Sequence, residues 1–464
     1  MRILSSELNN KIGEKVELAG WIASRRDHGK LIFIDIRDRE GITQVVFLPN
    51  NVSAHEEAEK LRPEWVIRIK GDVVARPDKM RNPDIVSGNV EVVAEELTVL
   101  TEAETLPFDV MTDGLDIGED LRMQYRYLDI RRPRMAKNLR NRFKVLNFFR
   151  SFLANKGFVE IETPILTKST PEGARDYLVP SRLQYGSFYA LPQAPQQYKQ
   201  LLMVAGIERY FQVARCFRDE DTRGDRQAEF TQVDMEMSFV QREDVMEIIE
   251  ELCTTLVETL YPYKKISQKP WPRLNYDDVM EQYGTDRPDL RKDKNDHHEL
   301  AFAWVINFPL FEKEKKDGHY SPEHNMFTAP LDEDISLLDT APHTVKSCQY
   351  DVVLNGNEIF GGAIRIHDPK LQERIFEMIG FTEEKKQQFS HMLKAFAYGV
   401  PPHGGIASGF DRLLMVLENE LNIREVIAFP KTGEGRDLMM DAPSSVDTMQ
   451  LNELHIEIKK EDKK

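Results

Sequence analysis

Cysteine is scarce in this sequence, and long apolar runs are absent from it. The 464 residues include three cysteines, Cys216, Cys253 and Cys348, which lie far apart and form no CxxC pair. This pattern predicts reduced thiols in an intracellular protein and argues against a structural zinc site. No run of about 18 apolar residues could span a membrane, and residues 1–15 lack the apolar core of a signal peptide. We therefore expect a cytoplasmic protein with no membrane partner.

Positive charge is also in deficit. The formal net charge is −16 at pH 7, which argues against a protein that binds nucleic acid over its whole surface. One segment departs from this balance, because the residues from Arg126 to Arg142 are strongly basic and include Asp129 as their single acid. Such a segment is typical of a helix with a solvated face and structural ion pairs, and a localised nucleic-acid surface is the alternative.

The first part of the chain has the pattern of a small β-barrel. A length of 464 residues predicts two or more domains. Residues 1–105 contain five segments of strand-like alternation, for example Ile67 and Ile69 among Arg68 and Lys70, with one helical patch after the third. This order predicts a five-stranded OB-type barrel, a fold that often binds single-stranded nucleic acid.

The remainder predicts an α+β domain. Residues 106–130 are interpreted as a hinge. From Asn138 onward apolar residues recur at helical spacing, and Gly157 is the expected end of that helix. Strand-like and helical segments are mixed through residues 131–464, which favours an antiparallel sheet flanked by helices.

Two segments combine residues suited to an anionic ligand. In CFRDEDTRGDRQAEF, Arg218 and Glu220 are predicted on one strand and Phe230 on the next strand; arginine can pair with phosphate, and phenylalanine can stack on a purine. In GGIASGFDRLL, glycines precede Arg412 at the start of a helix, where the backbone can approach a ligand. The structural alternative for the first segment is a salt-bridge cluster, and that for the second is a strand-turn-helix packing motif.

Together with FVEIETPIL, these segments resemble motifs 1, 2 and 3 of the class II aminoacyl-tRNA synthetases. The similarity is closer still to the bacterial-type aspartyl-tRNA synthetases, whose sequences match TPEGARDYLVPSR, QQYKQLLM, EIFGGAIRIH and GVPPHGGIASGFDRL. It covers residues 1–445 and includes the N-terminal barrel.

The resemblance implies an anticodon-binding OB barrel and an antiparallel catalytic domain. It also implies an aspartate–tRNA ligase, which joins L-aspartate to the AMP part of ATP, releases pyrophosphate, and transfers the aspartyl group to tRNA(Asp). ATP and Mg²⁺ would be the cofactors, and the assembly would be a homodimer. The alternative is a synthetase-like paralogue that activates an amino acid without charging tRNA.

Roles for the nucleotide end follow from the resemblance, position by position. The expected catalytic residues are Arg218, Glu358 and Arg412, and Asp351 and Glu358 would hold Mg²⁺. The residues expected to bind ATP are Arg218, Asp219, Glu220, Gln227, Phe230, Glu358, Gly409, Phe410, Asp411 and Arg412. Because the attacking carboxylate is already an anion, catalysis would depend on positioning and charge stabilisation.

The amino acid would be bound by groups of both charges. The expected aspartate-binding residues are Glu172, Gln196, Lys199, Arg218, Asp234, His324 and Arg365. Carboxylates among them would receive the ammonium group, and Lys199 and Arg365 the side-chain carboxylate. Asparagine would leave these cations without a partner charge, so we expect it to be rejected.

The tRNA would contact both domains. The expected anticodon-binding residues are Arg26, His28, Phe33, Gln44 and Glu91, and Arg223 and Asp225 would face the acceptor end. In this family, leucine at the position of His28 accompanies enzymes restricted to tRNA(Asp), and histidine accompanies those that also charge tRNA(Asn). His28 therefore favours charging of tRNA(Asn) as well; a polar loop residue without a role in selection is the alternative.

The sequence departs from the family at three further places. The domain that bacterial members insert between motifs 2 and 3 is absent near residues 291–300, where a charged linker replaces it. Ala194 stands in place of a serine and Asn325 in place of a second histidine. We expect some loss of affinity for aspartate, unchanged amino-acid specificity and intact adenylation.

Overall fold

Two compact units divide the chain. The computed structural model describes residues 2–170 and 173–459, and its contacts separate Met1–Gly114 from Leu115–Lys464. The hinge predicted at residues 106–130 straddles this division, and part of it is helical. The predicted domain boundaries therefore stay predictions.

The first unit is built from five strands and a helix that follows the third of them. Its elements are β1 (Lys15–His28), β2 (Leu31–Arg37), β3 (Ile42–Phe47), α1 (Val52–Lys60), β4 (Val66–Ala75) and β5 (Val90–Thr101). The strands close into a barrel in the order β1-β2-β3-β5-β4. The prediction of a five-stranded OB-type barrel is confirmed.

Alternating burial explains why these segments form a barrel. Ile67 and Ile69 on β4 are fully buried, whereas Arg68 and Lys70 between and after them are exposed. Gly71 allows close approach of the neighbouring strand, because a Cβ there would lie 2.1 Å from the carbonyl oxygen of Val93 on β5.

The second unit mixes short strands with helices. Its elements are α2 (Glu119–Gln124), α3 (Arg126–Asp129), α4 (Pro133–Asn155), β6 (Val159–Glu160), β7 (Leu178–Pro180), β8 (Phe188–Ala190), α5 (Gln196–Val204), β9 (Arg209–Phe217), β10 (Glu229–Ser238), α6 (Arg242–Leu260), β11 (Lys265–Ile266), β12 (Arg273–Asn275), α7 (Tyr276–Tyr283), β13 (Glu299–Leu300), β14 (Phe302–Ile306), β15 (Gln349–Leu354), β16 (Asn357–Ile364), α8 (Pro369–Met378), α9 (Glu383–Gln388), α10 (Ser390–Ala397), β17 (His403–Gly409), α11 (Phe410–Glu418) and α12 (Thr448–Glu453). Within the described ranges, no helix has the length and apolar character needed to cross a membrane.

An eight-stranded sheet organises this unit. Its order is β12-β14-β15-β16-β17-β10-β9-β6, and the six central strands, β14 to β9 in this order, are antiparallel to one another. The edge pairs β12–β14 and β6–β9 are parallel. The predicted antiparallel α+β domain is confirmed; short connections join β9 to β10 and β15 to β16, and the other central pairs join segments far apart in the chain.

Helices α4, α6 and α11 bury their apolar faces on the sheet. Helix α4 begins at Pro133, earlier than the predicted start, and it buries Phe149 and Leu153 while Phe143 of the predicted stripe is 69% exposed. Cys253 on α6 lies in the same core, and the three cysteines are all free thiols. Apolar spacing therefore predicted the helix and the burial of Phe149, but it did not distinguish the exposed Phe143 from the residues that face the sheet.

A buried ionic cluster explains the basic segment. Asp129 is fully buried and accepts hydrogen bonds from Arg122 (3.0 Å), Arg126 (2.8 Å) and Arg132 (2.7 Å). Glu425 accepts from Arg122 at 2.7 Å. Burial alone would raise the pKa of Asp129, but the hydrogen bonds and charges of the arginines outweigh it and lower that pKa. Structural ion pairs account for this part of the segment.

Removal of this carboxylate should destabilise the second unit. Asp129→Ala removes an anion that three buried guanidinium groups share, so we expect a loss of about 3–5 kcal/mol in the free energy of unfolding. Urea denaturation followed by circular dichroism measures this loss. Asp120→Ala, at an exposed position in the neighbouring helix, is the control, and equal effects of the two substitutions would contradict a structural role of the cluster.

Candidate active site

A cavity of about 700 Å³ opens in the second unit. Its walls come from α5, β10, β16, β17, the loop between β9 and β10, and the segment of residues 312–327. Nearly all the residues predicted to bind aspartate and ATP and described by the structure line it or adjoin it. The predicted residue Glu172 lies outside the described residues.

One end of the cavity holds four buried charges in alternating sign. Lys199 on α5 lies 2.6 Å from Asp234 and 3.2 Å from Glu236. Arg365, which follows β16, donates to Glu236 at 3.1 Å. Asp234 and Glu236 are two residues apart on β10, so the period of the strand places both side chains on one face. We call this set the charge network.

Glu236 was missed by the sequence analysis. It is fully buried and contacts both cations that were predicted to bind the side-chain carboxylate of aspartate. The alternation of Asp234 and Glu236 was the available signal. Gly405 on β17 makes room for it, because a Cβ there would lie 2.0 Å from Glu236 Oε2.

Four buried polar atoms in the cavity wall have no hydrogen-bond partner among the described residues. They are the donors Gln196 Nε2, Arg218 Nε and Arg365 Nη1 and the acceptor Asp234 Oδ2. Buried polar groups are almost always paired in folded proteins, so a convergent set of unpaired ones indicates a polar ligand. Three donors and one carboxylate oxygen suit a ligand that carries both anionic and cationic groups.

His324 faces the same end of the cavity. The ring is accessible from the cavity, but the surrounding protein and then the positive charges of Arg365, Lys199 and Arg218 lower its pKa well below the ordinary value. His324 is therefore neutral at pH 7 and can donate or accept a hydrogen bond.

The two departures near the pocket differ in their consequences. Asn325 Oδ1 accepts from the backbone nitrogen of Phe327 at 2.9 Å and closes a turn. This local hydrogen bond gives asparagine a structural role at that position. Ala194 lines the cavity and contributes no polar group there.

Arg218 and Phe230 form the middle of the cavity. The guanidinium carbon of Arg218 lies 5.1 Å from the centre of the Phe230 ring. The sequence analysis placed Arg218 and Glu220 on a strand. Strand β9 ends at Phe217, so both residues lie in the loop that follows it. The backbone nitrogen of Arg218 donates to Ala228 at 2.8 Å, which closes this loop against β10.

The far end of the cavity contains Arg412 on the first turn of α11. Its guanidinium donates to the carbonyl oxygens of Asp225 and Glu358, both at 3.2 Å. Phe410 points into the core and Asp411 accepts from Arg142 at 2.5 Å. Any contact of Phe410 with a nucleotide would therefore use its backbone.

The remaining residues predicted to bind ATP lie in the loop between β9 and β10. Gln227 Oε1 accepts from the backbone nitrogen of Lys431 at 2.7 Å, and Asp219 lies 3.7 Å from Arg175. Arg223, predicted to face tRNA, is exposed near the loop tip. Asp225 points to Arg412 instead, with 3.3 Å between their charged groups.

Two carboxylates converge beside Gly361. A Cβ on this glycine would lie 3.3 Å from both Asp351 Oδ1 and Glu358 Oε1. Burial first, and then the charge of Glu358, raise the pKa of Asp351 well above its usual value. Asp351 Oδ1 has no hydrogen-bond partner among the described residues. Two oxygen ligands fit a Mg²⁺ ion that takes its other ligands from water and phosphate.

No larger metal-binding cluster accompanies this pair in the described part of the chain. Within residues 2–170 and 173–459, no group of three or more histidine, cysteine or acidic side chains is arranged to hold a metal ion.

The barrel carries a second polar cluster. Arg26 donates to Asp35 at 3.0 Å and to Gln44 at 3.3 Å, and Gln44 donates to Glu91 at 2.7 Å. The pairing of Arg26 with Phe33 and of Asp35 with Gln44 across neighbouring strands brings these side chains together. The residues predicted to bind the anticodon thus form one connected surface on β1, β2, β3 and β5.

His28 and Arg76 belong to the same surface. The ring of His28 meets the ring of Phe33 edge to face, with 5.7 Å between centres. Arg76, at the end of β4, was not predicted; it is 6% exposed, and its Nε and Nη2 have no hydrogen-bond partner among the described residues. Desolvation lowers the pKa of Arg76, and the charge of Glu91 partly offsets this.

Acid should destabilise the fold through His324. The pKa of His324 is lowered in the folded protein and is about 6.5 in the unfolded chain. Between these two pKa values the unfolded chain binds more protons than the folded protein, so the free energy of unfolding decreases as the pH falls through this range. Urea unfolding near pH 7.5 and pH 5.5 should therefore show a larger loss in wild type than in His324→Gln. His297→Gln, at an exposed site, should lose as much as wild type; identical losses in all three proteins would refute the lowered pKa.

Comparisons with known proteins agree with the fold. The model of the class II tRNA synthetases (D, K and N) matches residues 118–433, and the model of the OB-fold nucleic acid binding domain of the anticodon-binding type matches residues 16–100. Among solved structures, the asparaginyl-tRNA synthetase of Pyrococcus horikoshii with asparaginyl-adenylate superposes with a TM-score of 0.76 at 23% identity, covering 93% of this chain and 98% of that one. The aspartyl-tRNA synthetase of Entamoeba histolytica gives 0.73 at 22% identity, covering 93% and 91%.

Similar sequences extend over the whole chain. The aspartate–tRNA(Asp/Asn) ligase of Rubrobacter xylanophilus is 43% identical, covering 97% of this chain and 95% of that protein. The aspartate–tRNA ligase of Lysinibacillus sphaericus is 42% identical, covering 98% of each. The first alignment spans 573 residues against 464 in this chain, so that relative has sequence that this chain lacks. The chain belongs to the class II tRNA synthetases of the D, K and N group.

Proposed function

We propose that this protein is an aspartate–tRNA ligase that activates L-aspartate with ATP and charges both tRNA(Asp) and tRNA(Asn). The observation that carries the proposal is the set of four unpaired buried polar atoms beside the charge network. Relatives named as aspartate–tRNA ligases, at 42–43% identity over nearly the whole chain, support the same substrate.

Aspartate fits the charge network in one orientation. Its ammonium group would bond to Asp234 Oδ2, and its side-chain carboxylate would lie between Lys199 and Arg365. Both cations share Glu236, which holds them in place before the ligand arrives. Asparagine would leave the pair with an uncompensated positive charge in a buried site, so the network selects against the amide.

The reaction centre lies between the network and Phe230. The α-carboxylate of aspartate would attack the α-phosphorus of ATP, and the bond to the β-phosphate would break to release pyrophosphate. Arg218, which has an unpaired Nε and lies over Phe230, would hold both the carboxylate and the α-phosphate while the ring of Phe230 stacks on adenine. Glu220 and Gln227 would bond to the nucleotide from the loop, and Asp219 and Asp411 would support that loop and α11.

Charge on the leaving group would be stabilised at the far end of the cavity. Arg412 would bind the γ-phosphate, and Gly409 would let the nucleotide approach the backbone before α11. Asp351 and Glu358 would hold Mg²⁺, which neutralises phosphate charge when it is bound. With no general base required, the contribution of the protein is orientation and electrostatic stabilisation.

The barrel would bind the anticodon. Phe33 offers a ring for a base to stack on, and Arg26, Gln44 and Glu91 offer donors and acceptors for base edges. Arg223 on the exposed loop would meet the acceptor end of the tRNA. A synthetase-like paralogue without tRNA would have no use for this connected polar surface, which is the observation against that alternative.

A homodimer is the assembly that we propose. Phe143 on α4, Val159 on β6 and Ile165 and Leu166 after it are between 47% and 69% exposed. Large apolar side chains gathered at one sheet edge and the adjoining helix are typical of a surface that is covered by another chain. Strand β6 belongs to FVEIETPIL, the segment that resembles motif 1, and α4 precedes it.

Charging assays test this function directly. We expect purified protein to charge tRNA(Asp) and tRNA(Asn) with labelled aspartate at kcat/KM values within about tenfold of each other. A tenfold ratio corresponds to a difference of about 1.4 kcal/mol between the two tRNAs in transition-state binding, and an enzyme that serves both tRNAs should not exceed it. Aspartate-dependent ATP–pyrophosphate exchange is measured in parallel. Exchange without charging of either tRNA would favour the paralogue, and charging of tRNA(Asp) alone would limit the function to one tRNA.

His28→Leu should shift the choice of tRNA. Histidine at this position accompanies charging of tRNA(Asn) in the family that the sequence resembles, so charging of tRNA(Asn) should fall more than that of tRNA(Asp). Ring contacts such as the one with Phe33 are worth roughly 0.5–1.5 kcal/mol, so we expect a difference of roughly three- to tenfold. Lys30→Leu, exposed in the same turn, is the control and should leave the ratio unchanged. An equal fall for both tRNAs in His28→Leu would show that His28 does not discriminate.

A further inference from the structure

A loop carboxylate at the far end of the cavity lies between Arg412, which lines the cavity, and Arg287, which is not among the lining residues but contacts Asp225. Asp225 Oδ2 is 3.3 Å from Arg412 Nη2 and 3.9 Å from Arg287 Nη1. Arg412 also donates through Nε to the backbone oxygen of Asp225 at 3.2 Å. One anionic oxygen is thus held by cations from two separate segments, α11 and the connection after α7.

The segment that carries Arg287 packs on the core. Leu290 packs on the cluster of Val279 and Ala303, and within the segment Arg291 pairs with Asp289 at 2.8 Å. This connection runs directly from α7 to β13. This packing fixes the backbone near Arg287, and the Arg287 side chain pairs with Asp225.

The tip of the Asp225 loop rests on other parts of the same unit. The backbone oxygen of Gly224 accepts from the nitrogen of Ile423 at 3.0 Å, and Thr222 donates to the backbone oxygen of Thr432 at 3.1 Å. These are a few contacts of loop residues with other loops, so the tip can move without disturbing the sheet.

We propose that Arg287 is a second phosphate-binding residue, which binds the terminal phosphate of ATP together with Arg412, and that Asp225 occupies this position until ATP arrives. The proposal rests on the proposed function, because it takes ATP as the ligand of this cavity. Two guanidinium groups around one oxygen form the arrangement that arginine makes with phosphate.

The contact is poorly suited to a purely structural role. The side chains of Asp225 and Arg287 are 34% and 46% exposed. Ion pairs as open to water as this one contribute little to stability. The same openness makes the carboxylate easy for a more highly charged phosphate to displace. A second cation there would act on ATP and pyrophosphate but not on AMP, which lacks the terminal phosphates.

The first test removes the second cation. In Arg287→Ala, aspartate-dependent ATP–pyrophosphate exchange should show KM values for ATP and for pyrophosphate raised about tenfold with little change in kcat, as expected when a contact present in ground and transition states is lost. Affinities for AMP and for a non-hydrolysable aspartyl-adenylate analogue should stay the same, which also shows that the variant is folded.

The control is Lys292→Ala, which removes an exposed cation from the same connection. If Arg287→Ala and Lys292→Ala have the same KM for ATP, Arg287 is not a phosphate-binding residue. If both affinities for AMP and ATP fall together in Arg287→Ala, the effect is structural and the proposal is also overturned.

The second test removes the competing carboxylate. Asp225→Asn should lower the KM for ATP several-fold, and this gain should shrink in the Arg287→Ala background because the two residues act on one another. An unchanged or raised KM in Asp225→Asn would refute the occupancy by Asp225. Absence of aspartate-dependent exchange in wild type would defeat the proposed function itself. Normal exchange in wild type, together with an unchanged KM for ATP in the variants, would defeat only this inference.

Discussion

The buried charge network is the interaction on which the site depends. Lys199 and Arg365 would each be costly to bury alone, and Asp234 and Glu236 offset that cost because they lie on one face of β10. The network also constrains the neighbouring strand β17, because Gly405 on that strand leaves the space that the Glu236 side chain occupies. The sheet register around β10 is therefore part of the binding site: slipping it by one residue would turn both carboxylates away from the cations.

The two ends of the cavity differ in rigidity for a physical reason. At the aspartate end the charged groups are buried and bonded to one another, so their geometry is set before a ligand enters. At the nucleotide end Asp225, Arg412 and Glu358 are partly open to water and their contacts are longer. Under the proposed function, the rigid end would bind aspartate, which must be distinguished from its amide. The exchangeable end would bind the triphosphate, which enters as part of ATP and leaves as pyrophosphate.

Much of the fold followed from local pattern. The alternation around Ile67 and Ile69 predicted barrel strands, and these residues are buried, because a strand with one face on a core has few other ways to exclude its apolar side chains. The apolar spacing after Asn138 predicted a helix, but the buried face contains Leu153 and leaves out Phe143. Which residues a helix buries depends on the element it packs against, and that partner is distant in sequence.

By itself the sequence determined the chemistry that is available: the arginines, carboxylates and glycines of three separated segments, and through their similarity to a known family the identity of the substrate. Tertiary structure decided how those groups pair. It alone placed Glu236 between two cations, turned Asp225 toward Arg412, and left one oxygen of Asp234 free for a ligand. Such outcomes depend on distances between residues far apart in the chain, which are set by strand register and packing, and local sequence does not encode them one residue at a time.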